Sequence, residues 1–129
     1  ICWRLGVKAD DNAAQEITSQ LFKAAGQSHI GWDQLFKDLY GGQLVPDAVS
    51  AHLWAEHSGL QALAAHTAKF PSRQKNQSAI AQIKQRPLVT MEISAMEGLW
   101  SPIAEKDDWQ FFEAALAAIR AHGAALKEA

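Results

Sequence analysis

The five histidines are the first candidates for a metal site, because imidazole is the commonest protein ligand for transition metals. His52 and His57 lie five residues apart in a segment with helical apolar spacing, which sets them about 140° apart around a helix axis. Zinc ligands that share a helix usually lie four residues apart on one face. His29, His66 and His122 are scattered elsewhere. The spacing therefore predicts surface or hydrogen-bonded histidines rather than a metal site.

Cys2 is the only cysteine, so it cannot form an internal disulfide or a thiolate metal cluster. A chain with a single thiol fits a reducing compartment such as the cytoplasm. The start of a chain is a poor place to hold a reactive group in a fixed geometry. We therefore do not expect Cys2 to act as a nucleophile.

Acidic side chains are dense between residues 92 and 113, where Lys106 is the only base. The carboxylates are those of Glu92, Glu97, Glu105, Asp107, Asp108 and Glu113. Paired carboxylates are the usual groups of general acid–base catalysis. Asp107 is followed three residues later by Gln110, however, which is typical of a helix capping box. We therefore predict that Asp107 or Asp108 caps a helix and that this segment is not catalytic.

Residues 72–90 contain bases and no acid; the bases are Arg73, Lys75, Lys84 and Arg86. This segment lacks the interleaved aromatic residues on which nucleic-acid bases stack. The whole chain has a net charge of −2 and a pI near 6.2, which gives no concentrated positive field. We therefore predict a solvated face, or a face that meets the acidic segment or another domain, and no nucleic-acid partner.

The first half of the chain has helical apolar spacing with glycine and proline at the breaks. Asp10 and Asp11 are expected to begin a helix that ends at Gly26. A second helix is expected to end at Gly41-Gly42, and its apolar stripe consists of Trp32, Leu35, Phe36, Leu39 and Tyr40. Pro46 suits the first turn of a third helix, with Val49, Leu53 and His57 as candidates for one face, as far as Ser58-Gly59. The fourth is expected to run to Phe70 with Leu60, Leu63, Ala64 and Thr67 inward.

The second half has the same period. Ser72 is expected to cap a polar helix over residues 73–85, whose inward residues are Ala79, Ile80 and Ile83. The next helix is expected to break at Pro102, and its apolar residues are Met91, Ala95, Met96 and Leu99. The last helix is expected to begin at Asp107, and its apolar side consists of Trp109, Phe112, Leu116, Ile119 and Leu126. Trp100 and Trp109 are predicted to be buried between these two helices. Leu88-Val89-Thr90 is the one β-leaning stretch.

These patterns predict an all-α fold, a compact bundle of about five to seven helices with no substantial sheet, in a single domain over residues 1–129. A chain of this length with 48% hydrophobic residues suffices for one core. No apolar run approaches the roughly 20 residues of a membrane span, so we expect no membrane insertion. The five tryptophans, Trp3, Trp32, Trp54, Trp100 and Trp109, suit either a core or an interface.

Residues 90–109 resemble the C-terminal segment of bacterial members of the selenoprotein O family. The similarity lies in Thr90-Met91, in Glu97 three residues before Trp100, and in the run from Trp100 through Pro102-Ile103-Ala104-Glu105 to Asp107-Asp108-Trp109. Residues 36–42 resemble the family's Phe-x-Asp-aromatic-aromatic-Gly-Gly stretch, although Leu39 departs from the aromatic. Arg4-Leu5-Gly6 is similar to the segment before it, and the match is patchy between Val45 and Arg86.

The selenoprotein O family is similar to protein kinases in fold and transfers AMP from ATP to protein hydroxyls with a divalent metal, Mg or Mn. The resemblance implies that this chain is the C-terminal helical module of such a cytoplasmic enzyme and that it packs on an upstream catalytic lobe. The family's nucleotide and metal ligands lie upstream of the matched region, so no catalytic, cofactor-binding or metal-binding residue is assigned here. Ile1 in place of Met fits a chain that continues upstream. The redox-active C-terminal cysteine or selenocysteine of many members has no counterpart in residues 126–129.

Two other classes of function remain open on the sequence. One is a free-standing helical interaction domain, and the other is a small helical enzyme, which would need a cleft with convergent titratable groups. A module separated from its lobe is expected to self-associate, most simply as a two-fold dimer, through Trp3, Trp32, Phe36 and Tyr40. A stable monomer in which these residues complete the core is the alternative.

Overall fold

The computed structural model describes residues 1–88 and 90–128, of which 71% are helical. The described elements are α1 (Cys2–Leu5), α2 (Asp11–Ser28), α3 (Trp32–Asp38), a 3₁₀ helix (Tyr40–Gly42), α4 (Ala51–Glu56), α5 (Ser58–Thr67), α6 (Gln77–Gln85), α7 (Ile93–Lys106) and α8 (Gln110–Glu128). The extended pairing in these ranges is one isolated antiparallel bridge between Val7 and Ser72. The all-α prediction is confirmed. Within the β-leaning stretch, Val89 lies outside the described residues.

The main core lies where α2 packs on α5, with α1, α3 and α4 around this pair. Its fully buried apolar residues are Leu5, Val7, Ile17, Leu21, Leu35, Leu39, Leu60 and Leu63. A smaller cluster joins the 3₁₀ helix to α6 and α8 through Tyr40, Ile80, Ile83 and Ala125. The helical spacing of these residues in the sequence is therefore what puts them on the faces that meet.

Helix α2 begins as predicted and ends later than predicted. The carboxylate of Asp10 accepts a 2.8 Å hydrogen bond from the Ala13 backbone N–H, which is an N-cap. The expected stop at Gly26 is wrong, because the helix continues to Ser28, whose hydroxyl donates to the Ala24 carbonyl at 2.7 Å. His29 ends the helix in the left-handed region at φ 56°.

Gly41 and Gly42 end the second apolar segment, as predicted, after α3 has passed into the 3₁₀ helix. Both have positive φ, 80° and 83°, which favours glycine. A Cβ atom added to Gly42 would lie 2.9 Å from Cγ1 of Val7. The chain therefore needs glycine at position 42 for its conformation and for its close approach to Val7.

The boundaries of the next two helices differ from the prediction. Pro46 does not begin a helix, because the chain first makes a turn in which one Asp47 carboxylate oxygen accepts from the backbone N–H groups of Val49 and Ser50, and α4 starts only at Ala51. Val49 is exposed rather than inward. His57 is the break itself, with extended backbone.

Helix α5 begins at Ser58, where the prediction put an interruption, and it ends at Thr67, three residues before Phe70. Its predicted inward face is confirmed, because Leu60, Leu63 and Thr67 are fully buried. The 3.6-residue period thus identified the face correctly, although the ends of the helix depended on the turns beside it.

Helix α6 starts later than expected. Asn76, rather than Ser72, caps it and accepts a 3.1 Å hydrogen bond from the Ala79 backbone N–H. Ser72 instead forms the isolated antiparallel bridge with Val7. The predicted inward residues, Ala79, Ile80 and Ile83, are all buried.

Helix α7 runs through Pro102, where a break was predicted. Proline leaves the carbonyl four residues earlier without its helical donor, and that residue, Gly98, is exposed to water, which can hydrogen-bond the carbonyl. Asp107 ends α7 in the left-handed region at φ 53°, so its predicted role as the cap of the last helix is wrong. Asp108 is the residue whose carboxylate accepts from the Gln110 backbone N–H, at 3.0 Å.

Trp100 and Trp109 are not buried between the last two helices, because their exposed fractions are 64% and 45%. Ile103 is the buried residue of α7. The Trp109 indole N–H donates to the Asp107 carboxylate at 2.9 Å, and its ring packs edge-on against Phe112. The prediction of two buried indoles is therefore wrong.

None of the described helices combines the length and the apolar character that a membrane crossing requires.

Candidate functional site

The histidines and the cysteine do not form a site in the described part of the chain. No group of three or more His, Cys, Asp or Glu side chains converges among residues 1–88 and 90–128. His66 packs edge-on against Phe70, and its Nε2 lies 3.8 Å from a carboxylate oxygen of Glu16. Cys2 is half-buried beside the main core.

The acidic segment extends from the residue before α7 into the first turn of α8. Glu92, Glu97, Glu105, Asp107 and Glu113 are all exposed. Two local hydrogen bonds, made by Asp107 and Asp108, account for the carboxylates next to the α7–α8 junction. The carboxylates of residues 92–113 therefore either make local hydrogen bonds at the helix ends or face solvent, and no two of them form a buried pair.

A fully buried polar group that the sequence patterns did not single out is the carboxylate of Asp38. Trp54 Nε1 donates to Oδ2 of Asp38 at 2.7 Å, and Gln34 Nε2 donates to Oδ1 at 2.8 Å. Asp38 lies at the end of α3 and Trp54 in α4, so the carboxylate joins these helices. The only sequence signal for Asp38 was its place in the family-like stretch at residues 36–42.

A second carboxylate, that of Asp47, extends this network to the surface. Gln34 Nε2 lies 3.0 Å from Oδ2 of Asp47, and Lys37 Nζ donates to the same oxygen at 2.8 Å. The hydrogen bond from Lys37 holds the pKa of the Asp47 carboxyl well below its usual range, against the opposing effect of burial. The turn at residues 47–50 is thereby fixed to α3.

This turn forms one wall of a large open cavity of about 1260 Å³, which we call the Lys84 groove. The other walls come from residues 68–72, from α6 and from residues 86–88. Its charged lining consists of Lys37, Asp47, Lys69, Lys84 and Arg86. Its apolar lining includes Val45, Pro46, Phe70, Ile80 and Leu88.

Lys84 is buried in the wall of this groove, with 8% of its surface exposed. Its ammonium donates to the backbone carbonyl of Gln43. Burial lowers the pKa of Lys84 to about 8, against the opposing effect of the negative charge of Asp38. The prediction of a solvated basic face is therefore wrong for Lys84, because α6 turns the residue toward the 3₁₀ helix.

The other three bases of residues 72–90 differ in their surroundings. Arg73 Nε donates to the Val7 carbonyl at 3.1 Å and so secures the bridge beside it. Lys75 is exposed, and Arg86 is half-buried where it lines the groove. The segment thus gives the groove two of its four bases.

A smaller cavity of about 380 Å³ adjoins the Lys84 groove and shares Lys37, Tyr40 and Arg86 with it. Burial, followed by the positive charge of Arg86, lowers the pKa of His122 in its lining. Burial raises the pKa of the Tyr40 phenol, although the hydrogen bond that Gln74 donates to its oxygen acts in the opposite direction. Tyr40 lines both cavities, and each lining has more basic than acidic side chains.

The family-like string at residues 90–109 lies on the surface and includes several exposed apolar side chains. Together with the start of α8 these form what we call the α7–α8 surface: Met91, Ile93, Trp100, Trp109 and Phe111, with exposed fractions of 71%, 79%, 64%, 45% and 60%. Large apolar residues exposed in number are typical of interaction surfaces.

Comparison of the chain with protein-family models, with curated proteins and with solved structures finds no match.

Proposed function

We propose that this chain is the C-terminal helical module of a kinase-like protein adenylyltransferase of the selenoprotein O type. In this proposal the module is not catalytic; it packs on the upstream catalytic lobe and stabilises it. The observation that carries the proposal is the exposure of the family-like string. Trp100 and Trp109, the two aromatic residues of that string, lie largely outside the module's own core.

The α7–α8 surface supports a contact with another domain. Helix α7 contributes Ile103 to the interior, whereas Met91 and Ile93 at its start are more than two-thirds exposed. Contacts between domains of one chain commonly bury on the order of 600–1,500 Å², and large apolar side chains supply most of the stabilisation. Covering this surface with a catalytic lobe would remove these side chains from water.

The chemistry belongs to the lobe in this proposal. ATP and the divalent metal, Mg²⁺ or Mn²⁺, would be bound upstream, and this chain would contribute no ligand to either. The enzyme would act on protein hydroxyls in the cytoplasm, a reducing compartment that suits the single thiol of Cys2.

Substitution of Trp100 in the full-length protein tests the contact. We expect Trp100→Ser to lower the melting temperature of the catalytic lobe and the rate of AMP transfer. Phe22→Ser is the matched control, because Phe22 is an aromatic residue of α2 with a similar exposed fraction, 58%. Equal effects of the two substitutions, or no effect of Trp100→Ser, would contradict the proposed contact.

The reading frame that contains Ile1 tests the assignment itself. A kinase-like sequence ahead of Ile1 supports it, and a start codon close to Ile1 overturns it. The 129-residue chain incubated with labelled ATP and Mg²⁺ or Mn²⁺ should transfer no AMP to itself or to a generic protein substrate. Labelling that persists after contaminating enzymes are removed would also overturn the assignment.

A free-standing helical protein-interaction domain without enzymatic activity is the second candidate. The exposed apolar side chains of the α7–α8 surface favour it as well, because they would serve a separate partner as readily as a lobe of the same chain. The reading frame distinguishes the two candidates.

A further inference from the structure

The Lys84 groove has a feature that the proposed function does not use. Lys84 places a positive charge in the groove wall with 8% of its surface exposed. Among the described residues, ion pairs join Arg4 to Asp33 and Lys37 to Asp47, and neither includes Lys84. A buried charge is costly unless a partner of opposite charge compensates it.

The hydrogen bonding of Lys84 also leaves room for a ligand. An ammonium group has three donor hydrogens, and the described acceptor for Lys84 is the Gln43 carbonyl. The negative charge of the buried Asp38 carboxylate offsets part of the effect of burial on Lys84, while the described hydrogen bonds to its two oxygens come from Trp54 and Gln34 rather than from the ammonium group. An anion in the groove would supply further acceptors and additional negative charge.

The charges of the groove differ in sign from those of the whole chain. Four bases, Lys37, Lys69, Lys84 and Arg86, and a single acid, Asp47, line it, whereas the chain has a net charge of −2. Lys37 and Asp47 neutralise each other in a 2.8 Å ion pair. Three positive charges of the lining remain, offset in part by the Asp38 carboxylate that acts on Lys84, which suits a doubly charged oxyanion better than a neutral ligand.

The shape and the apolar lining indicate the rest of the ligand. The volume, about 1260 Å³, is large enough for a small organic molecule. Pro46, Phe70 and Ile80 offer apolar contacts in the same groove as the bases. A ligand that satisfies both parts has an anionic group and an apolar body.

We propose that the Lys84 groove binds a small organic dianion, a phosphate monoester or a dicarboxylate, whose charged group contacts Lys84 and whose apolar body contacts Pro46, Phe70 and Ile80. The inference does not depend on the adenylyltransferase assignment, because it uses only the residues of the groove. Phosphate esters and dicarboxylates share the chemistry that the bases recognise, and the experiment distinguishes them.

Calorimetric titration of the full chain with phenyl phosphate and, separately, with phenylsuccinate tests the proposal. We expect saturable binding of at least one probe. The probe that binds more tightly shows whether the groove prefers a phosphate monoester or a dicarboxylate. Benzyl alcohol, which has the ring and no charge, should bind at least tenfold more weakly than the preferred probe. Lys84→Met should weaken binding at least tenfold, whereas Lys75→Met, at an exposed base of the same segment outside the lining, should leave it unchanged.

A second measurement does not require the variant to fold. A bound anion favours the charged form of a lysine, so the pKa of Lys84, followed by NMR of labelled lysine, should rise from about 8 toward its ordinary value when the probe is added. The same wild-type protein is titrated with and without the probe, so the charges near Lys84, that of Asp38 among them, are the same in both titrations.

Three outcomes would overturn the proposal: no binding of either probe at millimolar concentration, equal binding by wild type and a folded Lys84→Met variant, or an unmoved Lys84 pKa in the presence of a bound probe. Binding of an acidic peptide with the sequence of residues 92–108, in the absence of binding by both probes, would identify the groove as a peptide-docking surface and would likewise overturn it.

Discussion

Trp54 Nε1 donates a 2.7 Å hydrogen bond to Oδ2 of Asp38, and both side chains are withdrawn from solvent. This bond ties α4 to the end of α3 and supports the turn that carries Asp47. A buried carboxylate oxygen that loses its donor keeps its desolvation penalty without compensation. Trp54 therefore stabilises the fold through its indole N–H as well as through the burial of its aromatic ring.

Trp54→Phe should lower the free energy of unfolding by about 1–3 kcal/mol, because it keeps most of the apolar ring and removes the donor to Asp38. Trp3→Phe is the matched control, since Trp3 is 77% exposed, and it should change stability by less than about 0.5 kcal/mol. Urea unfolding measures both. Equal losses would show that the hydrogen bond contributes little.

Trp100→Ala in the 129-residue chain should cost less than about 1 kcal/mol, the range of ordinary surface changes, because Trp100 is 64% exposed. Leu63→Ala, in the fully buried face of α5, should cost about 2–5 kcal/mol. Denaturant unfolding of the two variants provides the comparison. A Trp100 variant as destabilised as the Leu63 variant would restore the sequence-based prediction of a buried indole.

Stability should rise as the pH increases from about 8 toward about 10, because the pKa of Lys84 is lowered to about 8 in the fold. Over this range the unfolded chain still holds the proton that the folded chain has lost, so the unfolded state binds more protons and the free energy of unfolding increases. Lys84→Met should remove this rise. Urea unfolding at pH 7, 8, 9 and 10 measures it, and identical pH profiles for wild type and variant would contradict the prediction.

Stability should fall as the pH decreases below about 4, partly through Asp47, whose pKa is lowered in the fold by the hydrogen bond from Lys37. The folded state then keeps Asp47 ionised while the unfolded state takes up the proton. Asp47→Asn should flatten this acid limb, and Glu105→Gln, at an exposed residue of α7, serves as the control. Acid titrations monitored by circular dichroism compare the slopes, and an unchanged slope for Asp47→Asn would count against the ion pair.

The isolated chain should self-associate in a concentration-dependent way, most simply as a two-fold dimer. Trp3 and Trp32 remain available for this contact, but Phe36 and Tyr40 are buried, with exposed fractions of 8% and 6%, so they cannot contribute as the sequence suggested. We expect the α7–α8 surface to contribute to the dimer contact in place of Phe36 and Tyr40. Light scattering over a concentration series should show a dimer that Trp100→Ser weakens and that Val49→Ser, at an exposed apolar residue outside both proposed contact regions, does not. A monomer at every concentration would contradict this.

The helical period identified most of the buried faces, because residues on one face of a helix share one environment. Ile17, Leu21 and Leu63 are fully buried as their spacing indicated. The ends of the helices were harder, since competing partners decide them. Ser72 was a reasonable cap by type, but the bridge to Val7 uses it, and Asn76 caps α6 instead.

The candidate site was largely invisible in the sequence. Lys84 looked like one base in a polar helix, yet the approach of α6 to the 3₁₀ helix buries it against Gln43. Asp38 had no sequence signal beyond its place in the family-like stretch at residues 36–42, yet it accepts hydrogen bonds from residues 4 and 16 positions away. A hydrogen bond between residues 16 positions apart, such as that from Trp54 to Asp38, leaves no local pattern in the sequence.

By itself, the sequence determined that the chain is helical, that Asp10 begins the first long helix, and that Gly41-Gly42 ends the next segment, because caps and glycine stops act within a few residues. Only the tertiary structure decided that Lys84 is buried and that Trp100 is exposed. Periodicity shows which residues share a face of a helix. What covers that face depends on helices far away in the chain, and the solvation of a charge or an indole follows from that cover.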